Sequence, residues 1–166
     1  MRRLLVLAGL LLAALVIVAC GGDDDGSGDG DSNDTTTAAV ETTISKAELI
    51  EMADEICAAS GDTQAQLQAE LDSAASPAEA ADVYDGLADV NEGLNEEISA
   101  LPRPEGDEQE IEDMAAMQTE AVGLIRDLAS AVRAEDQAEA QQIATELDRI
   151  ASESGQAAEE YGFEVC

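Results

Sequence analysis

Four segments of this chain open in the same way, and that repetition limits the fold more than any other feature. Ser45-Lys46-Ala47-Glu48 puts a hydroxyl at a helix start and a carboxylate three residues later. In that arrangement each side chain takes up an N–H that the first helical turn leaves without a partner. Ser76-Pro77-Ala78-Glu79 repeats it with proline at the first helical position, where a missing N–H costs nothing. Asp107 with Glu110 and Asp136 with Glu139 are the acidic versions.

Behind each start, apolar residues recur at three- and four-residue steps, the period of one helix face. Leu49, Ala53, Ile56, Leu67 and Leu71 follow the first start, and Ala80, Val83, Leu87, Leu94 and Ile98 the second. Ile111, Met114, Val122, Ile125 and Leu128 follow the third, and Ile143, Leu147, Ile150 and Tyr161 the fourth. The stops are as plain. Pro102 and Pro104 end the second segment, because proline cannot continue a helix. Ala134-Glu135 is a short turn, and Gly162 suits a helix C-terminus. Gly61 weakens the first segment without ending it, so one helix to about Ala74 is expected. Four amphipathic helices joined by short connections fold as antiparallel neighbours. The expected class is all-α, an up-down-up-down four-helix bundle over residues 45–166.

Such a bundle must be filled without bulk. The chain has only three aromatics, Tyr84, Tyr161 and Phe163, and no Trp. A core of Leu, Ile, Val, Met and Ala buries little area per residue, so a covalent staple would help. Cys57 and Cys166 can supply it. The first helix starts at the end of the bundle where the fourth finishes, and Cys57 lies about 16 Å along the first helix at 1.5 Å per residue. The tail Phe163-Glu164-Val165-Cys166 is long enough to fold back that far. A Cys57–Cys166 disulfide is expected, with a structural role.

The N-terminus is of another kind. Met1-Arg2-Arg3 is a short positive region, and Leu4 to Val18 is an apolar run with Gly9 inside it. The run is short for a membrane-spanning helix and fits the core of a secretory leader, residues 1–19. Ile17-Val18-Ala19-Cys20 resembles the lipobox of prokaryotic lipoproteins. That resemblance implies diacylglycerol on the Cys20 thiol and cleavage after Ala19. More than one acyl chain anchors a protein firmly. Residues 20–44 then read as an acidic tether. Positions 21–43 hold six Asp and five Gly with no Lys or Arg, too little apolar surface to offset ordering entropy. As a flexible coil they span roughly 25–30 Å. Asp23 to Asp34 mimics a calcium loop only superficially, with no flanking helix, so no metal site is assigned.

Charge narrows the partners. The formal net charge is -31, with seven basic residues against 38 acidic ones. Phosphate backbones and anionic lipid need a basic patch, so nucleic acid and electrostatic membrane adsorption are excluded. No histidine is present, which removes His-based triads and His metal ligands. Glu-x-x-His pairs of di-metal bundles are absent for the same reason. No cofactor is expected. The domain is also too small for a two-lobed solute-binding lipoprotein. One less bland pattern remains: Ser60 or Gln64, Asn91, Gln118 and Ser154 fall on or near the apolar stripes at similar height. They are the candidate for a mid-bundle polar layer or a small pocket.

"EICAAS", "LPRPEGDE" and the ending "YGFEVC" resemble small helical lipoproteins and secreted proteins of actinobacteria, over roughly residues 45–166. Those often end in Tyr-Gly-Leu/Phe-x-x-Cys-Gly, whereas this chain ends at Cys166. The resemblance supports the disulfide and an envelope location and implies no mechanism. The expected protein is a non-enzymatic, lipid-anchored module on the outer face of the cytoplasmic membrane, held there through Cys20. It would bind or scaffold an envelope protein or ligand. The alternative is a sensor or sequestering lipoprotein that takes small cations or ligands on its acidic surface or polar layer.

Overall fold

The computed structural model describes residues 44–166, so the expected leader, Cys20 and nearly all of the expected tether lie outside the described residues. What it describes is all-α: α1 Lys46–Ser73, α2 Pro77–Ser99, α3 Glu108–Arg133 and α4 Gln137–Tyr161. Each helix packs on the next in chain order, as antiparallel neighbours with short connections must.

Local chemistry sets the ends. At α1 the capping box is complete: Glu48 N–H donates to Ser45 Oγ at 3.2 Å and Ser45 N–H donates to Glu48 Oε2 at 2.8 Å. Those bonds to Ser45 hold the Glu48 carboxyl below the usual range. Ile44 packs against the cluster around Leu49, the staple that fixes the entry of the chain. At α2 Ser76 accepts from Glu79 N–H, but Glu79 reaches past Ser76 to Ala75 N–H at 2.7 Å. Asp136 caps α4 through Ala138 and Glu139 N–H. Gly61 does not interrupt α1, and Ala74 caps it. Between α3 and α4 the chain reverses at Glu135, with φ 56°, where glycine is usual. Glu135 and Asp136 N–H donate to Val132 and Ala131 carbonyls at 3.0 and 2.9 Å, which satisfies the last turn of α3.

The four sides of the bundle are not alike. Ala81 and Ala88 of α2 and Ala129 and Ala131 of α3 are all buried. Small side chains of this kind let neighbouring helices approach closely. Between α1 and α4 no Cα pair comes within 8 Å. That side is spanned by bulk instead. Leu49, Ile111 and Tyr161 form a buried cluster at the end where α1 starts and α4 finishes, with Leu101, Met114 and Phe163 packed around it. Tyr161, Leu49 and Ile150 are the largest fully buried side chains. One of the three aromatics thus fills the widest seam.

Candidate functional site

The tail completes what α1 and α4 leave open. α4 ends at Gly162, whose φ of 110° turns the chain out of the helix. A side chain there would meet both a backbone region disfavoured for L-residues and Ile50 Cδ1 at 3.3 Å. The chain then runs back over α1. Asp54 accepts three tail N–H groups: Glu164 through Oδ2 at 3.0 Å, and Val165 and Cys166 through Oδ1 at 3.0 and 3.1 Å. One helical turn on, Cys57 is joined to Cys166, with 5.4 Å between their Cα atoms. The expected disulfide is present. Asp54 was not singled out in the sequence, although Asp three residues before the half-cystine shares its face of α1. A carboxylate has room for several donors, and a non-helical tail has N–H groups to place.

Tyr161 ties the same end to α3. Its hydroxyl donates to Asp107 Oδ2 at 2.9 Å, its ring stacks on Phe163 with centroids 5.1 Å apart, and Lys46 Nζ lies 3.8 Å above its face. Asp107 therefore does not cap α3 as its position suggests: it makes no side-chain cap bond. Burial, then the bond to Asp107 and the charges of Asp107 and Glu110, push the Tyr161 hydroxyl well above the normal tyrosine range. Burial alone raises Tyr84. A tyrosine with a raised folded-state pKa contributes stability below its unfolded pKa and loses it as pH rises, because the unfolded chain releases the proton first. Thermal unfolding is expected to move to lower temperature above about pH 10. The slope should flatten in Tyr161→Phe, and an equal slope in that variant would refute the assignment.

The four residues expected to form a polar layer do not come together. Gln118 is exposed on α3. Ser60 and Ser154 hydroxyls donate to carbonyls three residues back in their own helices, and Asn91 Nδ2 donates to Leu87 O at 2.7 Å. Gln64 reaches only Ser60. Apart from Tyr161, whose hydroxyl is bonded to Asp107, no side chain bearing a polar group is buried among the described residues. The spacing correctly placed Ser60, Asn91 and Ser154 at half-buried positions, but short polar side chains satisfied themselves on the local backbone. The polar contacts that do cross between helices lie elsewhere. Asn95 Nδ2 donates to Thr119 Oγ1 at 3.1 Å. Arg126 pairs with Asp89 and Glu92, and Arg133 with Asp82 and Asp85, all from α3 to α2. Arg126 holds the Glu92 carboxyl below the usual range. Arg149 joins Glu146 and Glu153 on α4 and approaches Glu120 of α3 at 3.8 Å.

Two open grooves flank α2. One, of about 380 Å³ between α2 and α3, is lined by Glu92, Asn95, Glu96, Thr119, Val122, Gly123 and Arg126. Its cation is already neutralised by the ion pairs of Arg126. The other, of about 270 Å³ between α1 and α2, has a more apolar floor, with Ile56, Ala59, Val90 and Leu94, and carries Asp89 and Glu97. Among the described residues no group of His, Cys, Asp and Glu is placed to hold a metal ion, and no helix is long and apolar enough to cross a membrane. No protein-family model matches the chain, and neither does any curated protein or solved structure.

Proposed function

We propose that this protein is a lipid-anchored extracytoplasmic module, a non-enzymatic binding or scaffolding part of the cell envelope. Cys20 would carry the diacylglyceryl group, and the acidic segment behind it would hold the bundle away from the lipid surface. The observation that carries the reading is the Cys57–Cys166 bond. Disulfides persist in oxidising compartments and are rare in the cytosol, and here one ties the tail beyond α4 to α1, on the side of the bundle where no Cα pair of those two helices comes within 8 Å. The lipobox-like Ile17-Val18-Ala19-Cys20 supports the same address. With the polar layer dispersed, a binding role rests on the outer surface, where 31 carboxylates face five cations over residues 44–166.

Metabolic labelling with a fatty-acid analogue tests the anchor. The full chain should take up label and fractionate with membranes, and Cys20→Ala should do neither. Label retained by Cys20→Ala would refute attachment at that thiol.

A further inference from the structure

We propose that the groove between α1 and α2 docks a cationic amphipathic helix of a partner protein. An aliphatic side chain of the partner would enter the notch at Gly93, and its basic residues would reach Asp89 and Glu97. This rests on the envelope-binding reading and names the partner's chemistry.

Size comes first. At about 270 Å³ and open to solvent, the groove falls below the usual range of enclosed small-molecule pockets. It suits the knob of a helix, which needs a shallow apolar hole between ridges. The glycines then separate two causes. Gly86 of α2 has a packing neighbour, because a Cβ there would sit 3.3 Å from Leu67 Cδ2, tighter than an ordinary contact. Gly93, two turns further along, is half-buried, yet a Cβ there would meet nothing within 4 Å. Glycine inside a helix is destabilising relative to alanine, and no steric contact requires it at 93. The same is true of Gly61, Gly123 and Gly155, but those three are exposed, whereas Gly93 is half-buried in the wall of this groove. It leaves an opening that a foreign side chain can occupy.

Charge selects the occupant. Glu97 makes no ion pair among the described residues, and Asp89, although paired with Arg126 at 3.2 Å, remains 75% exposed and shares that arginine with Glu92. The five cations of the described residues are engaged: four arginines in ion pairs, and Lys46 over the Tyr161 ring. A second copy brings the same acidic excess. Residues 21–43 bring six Asp and no cation. Both have the wrong sign for this rim. A Lys- or Arg-bearing helix has the right one, and long-range attraction would speed its encounter.

The experiment uses the full chain in neutral detergent and a fluorescent helical peptide of about four turns with lysines flanking a leucine stripe. Its counterpart has glutamates for the lysines. Anisotropy should show binding of the lysine peptide that weakens between about 0.05 M and about 0.3 M salt, and none of the glutamate peptide. Gly93→Leu fills the notch without changing charge. It should weaken binding at least about tenfold while the thermal midpoint holds or rises. Gly93→Ala is the milder second variant and should weaken binding by a smaller factor. Gly123→Leu, in the neighbouring groove, should leave affinity unchanged. Equal affinity in both Gly93 variants, tight binding of the glutamate peptide, or no binding of the lysine peptide would each overturn the proposal. Fatty-acid labelling at Cys20 reads the anchor separately, so the two readings fail independently.

Discussion

Reducing the Cys57–Cys166 bond is expected to cost this domain about 4–5 kcal/mol, the chain-entropy value for a loop of about a hundred residues. The bond spans a sequence separation of 109, nearly the whole domain, so its absence frees the unfolded chain to the greatest extent the fold allows. The folded state loses as well, since the three N–H bonds to Asp54 hold a tail that the disulfide keeps close. Urea unfolding with and without reductant measures this, and Cys57→Ser with Cys166→Ser should reproduce the reduced protein. Cys57 is half-buried and Cys166 exposed, so reductant can reach the bond before global unfolding. Coincident midpoints in the two conditions would show that α1 and α4 are held by packing alone.

Tyr161→Ala should destabilise by about 3–5 kcal/mol, as expected for emptying the site of a large buried aromatic. The ring is 1% exposed and spans the side of the bundle where α1 and α4 come no closer than 8 Å between Cα atoms. Leu49 and Ile111 would lose their common neighbour, and Lys46 and Phe163 the ring they lie against. Tyr161→Phe should cost far less, about 1 kcal/mol. The hydroxyl's bond to a carboxylate contributes about 1.5–3 kcal/mol, but its loss releases Asp107 to cap α3, which returns about 1 kcal/mol. Denaturation midpoints of the two variants check the ratio. A Phe variant as unstable as the Ala variant would mean that the Asp107 bond, and not the ring, closes this seam.

Helix positions were legible because caps and stops are local. Ser45 with Glu48, Ser76, Asp136, Pro102 and Gly162 each act within a turn of their own backbone, so no distant residue is needed to interpret them. Asp107 shows the limit. Its place before Glu108 marks the start of α3 correctly, yet its carboxylate is taken by a tyrosine 54 residues away. The polar layer failed for a related reason. Helical spacing places Asn91 and Ser60 at the edge of the apolar stripe, but it does not say whether a short amide or hydroxyl will reach across or turn back to its own carbonyls. Gln118, one step further round, faces solvent. Asp54 went unread because it was one acidic residue among many, and only the returning tail distinguishes it.

By itself, the sequence determined the elements: four helices, their order, their ends, the all-α class and the pair of half-cystines able to meet. These follow from period, capping and chain length, all of which act over a few residues or along a single helix. Tertiary structure alone decided how the four helices share their contacts. Alanines line α2 and α3, α1 and α4 stand apart behind Leu49 and Tyr161, and Asp54 gathers the tail that joins them. It also decided that the polar residues scatter while a notch opens at Gly93. Side-chain volumes must add up across all four helices at once, and no window on one of them contains that sum.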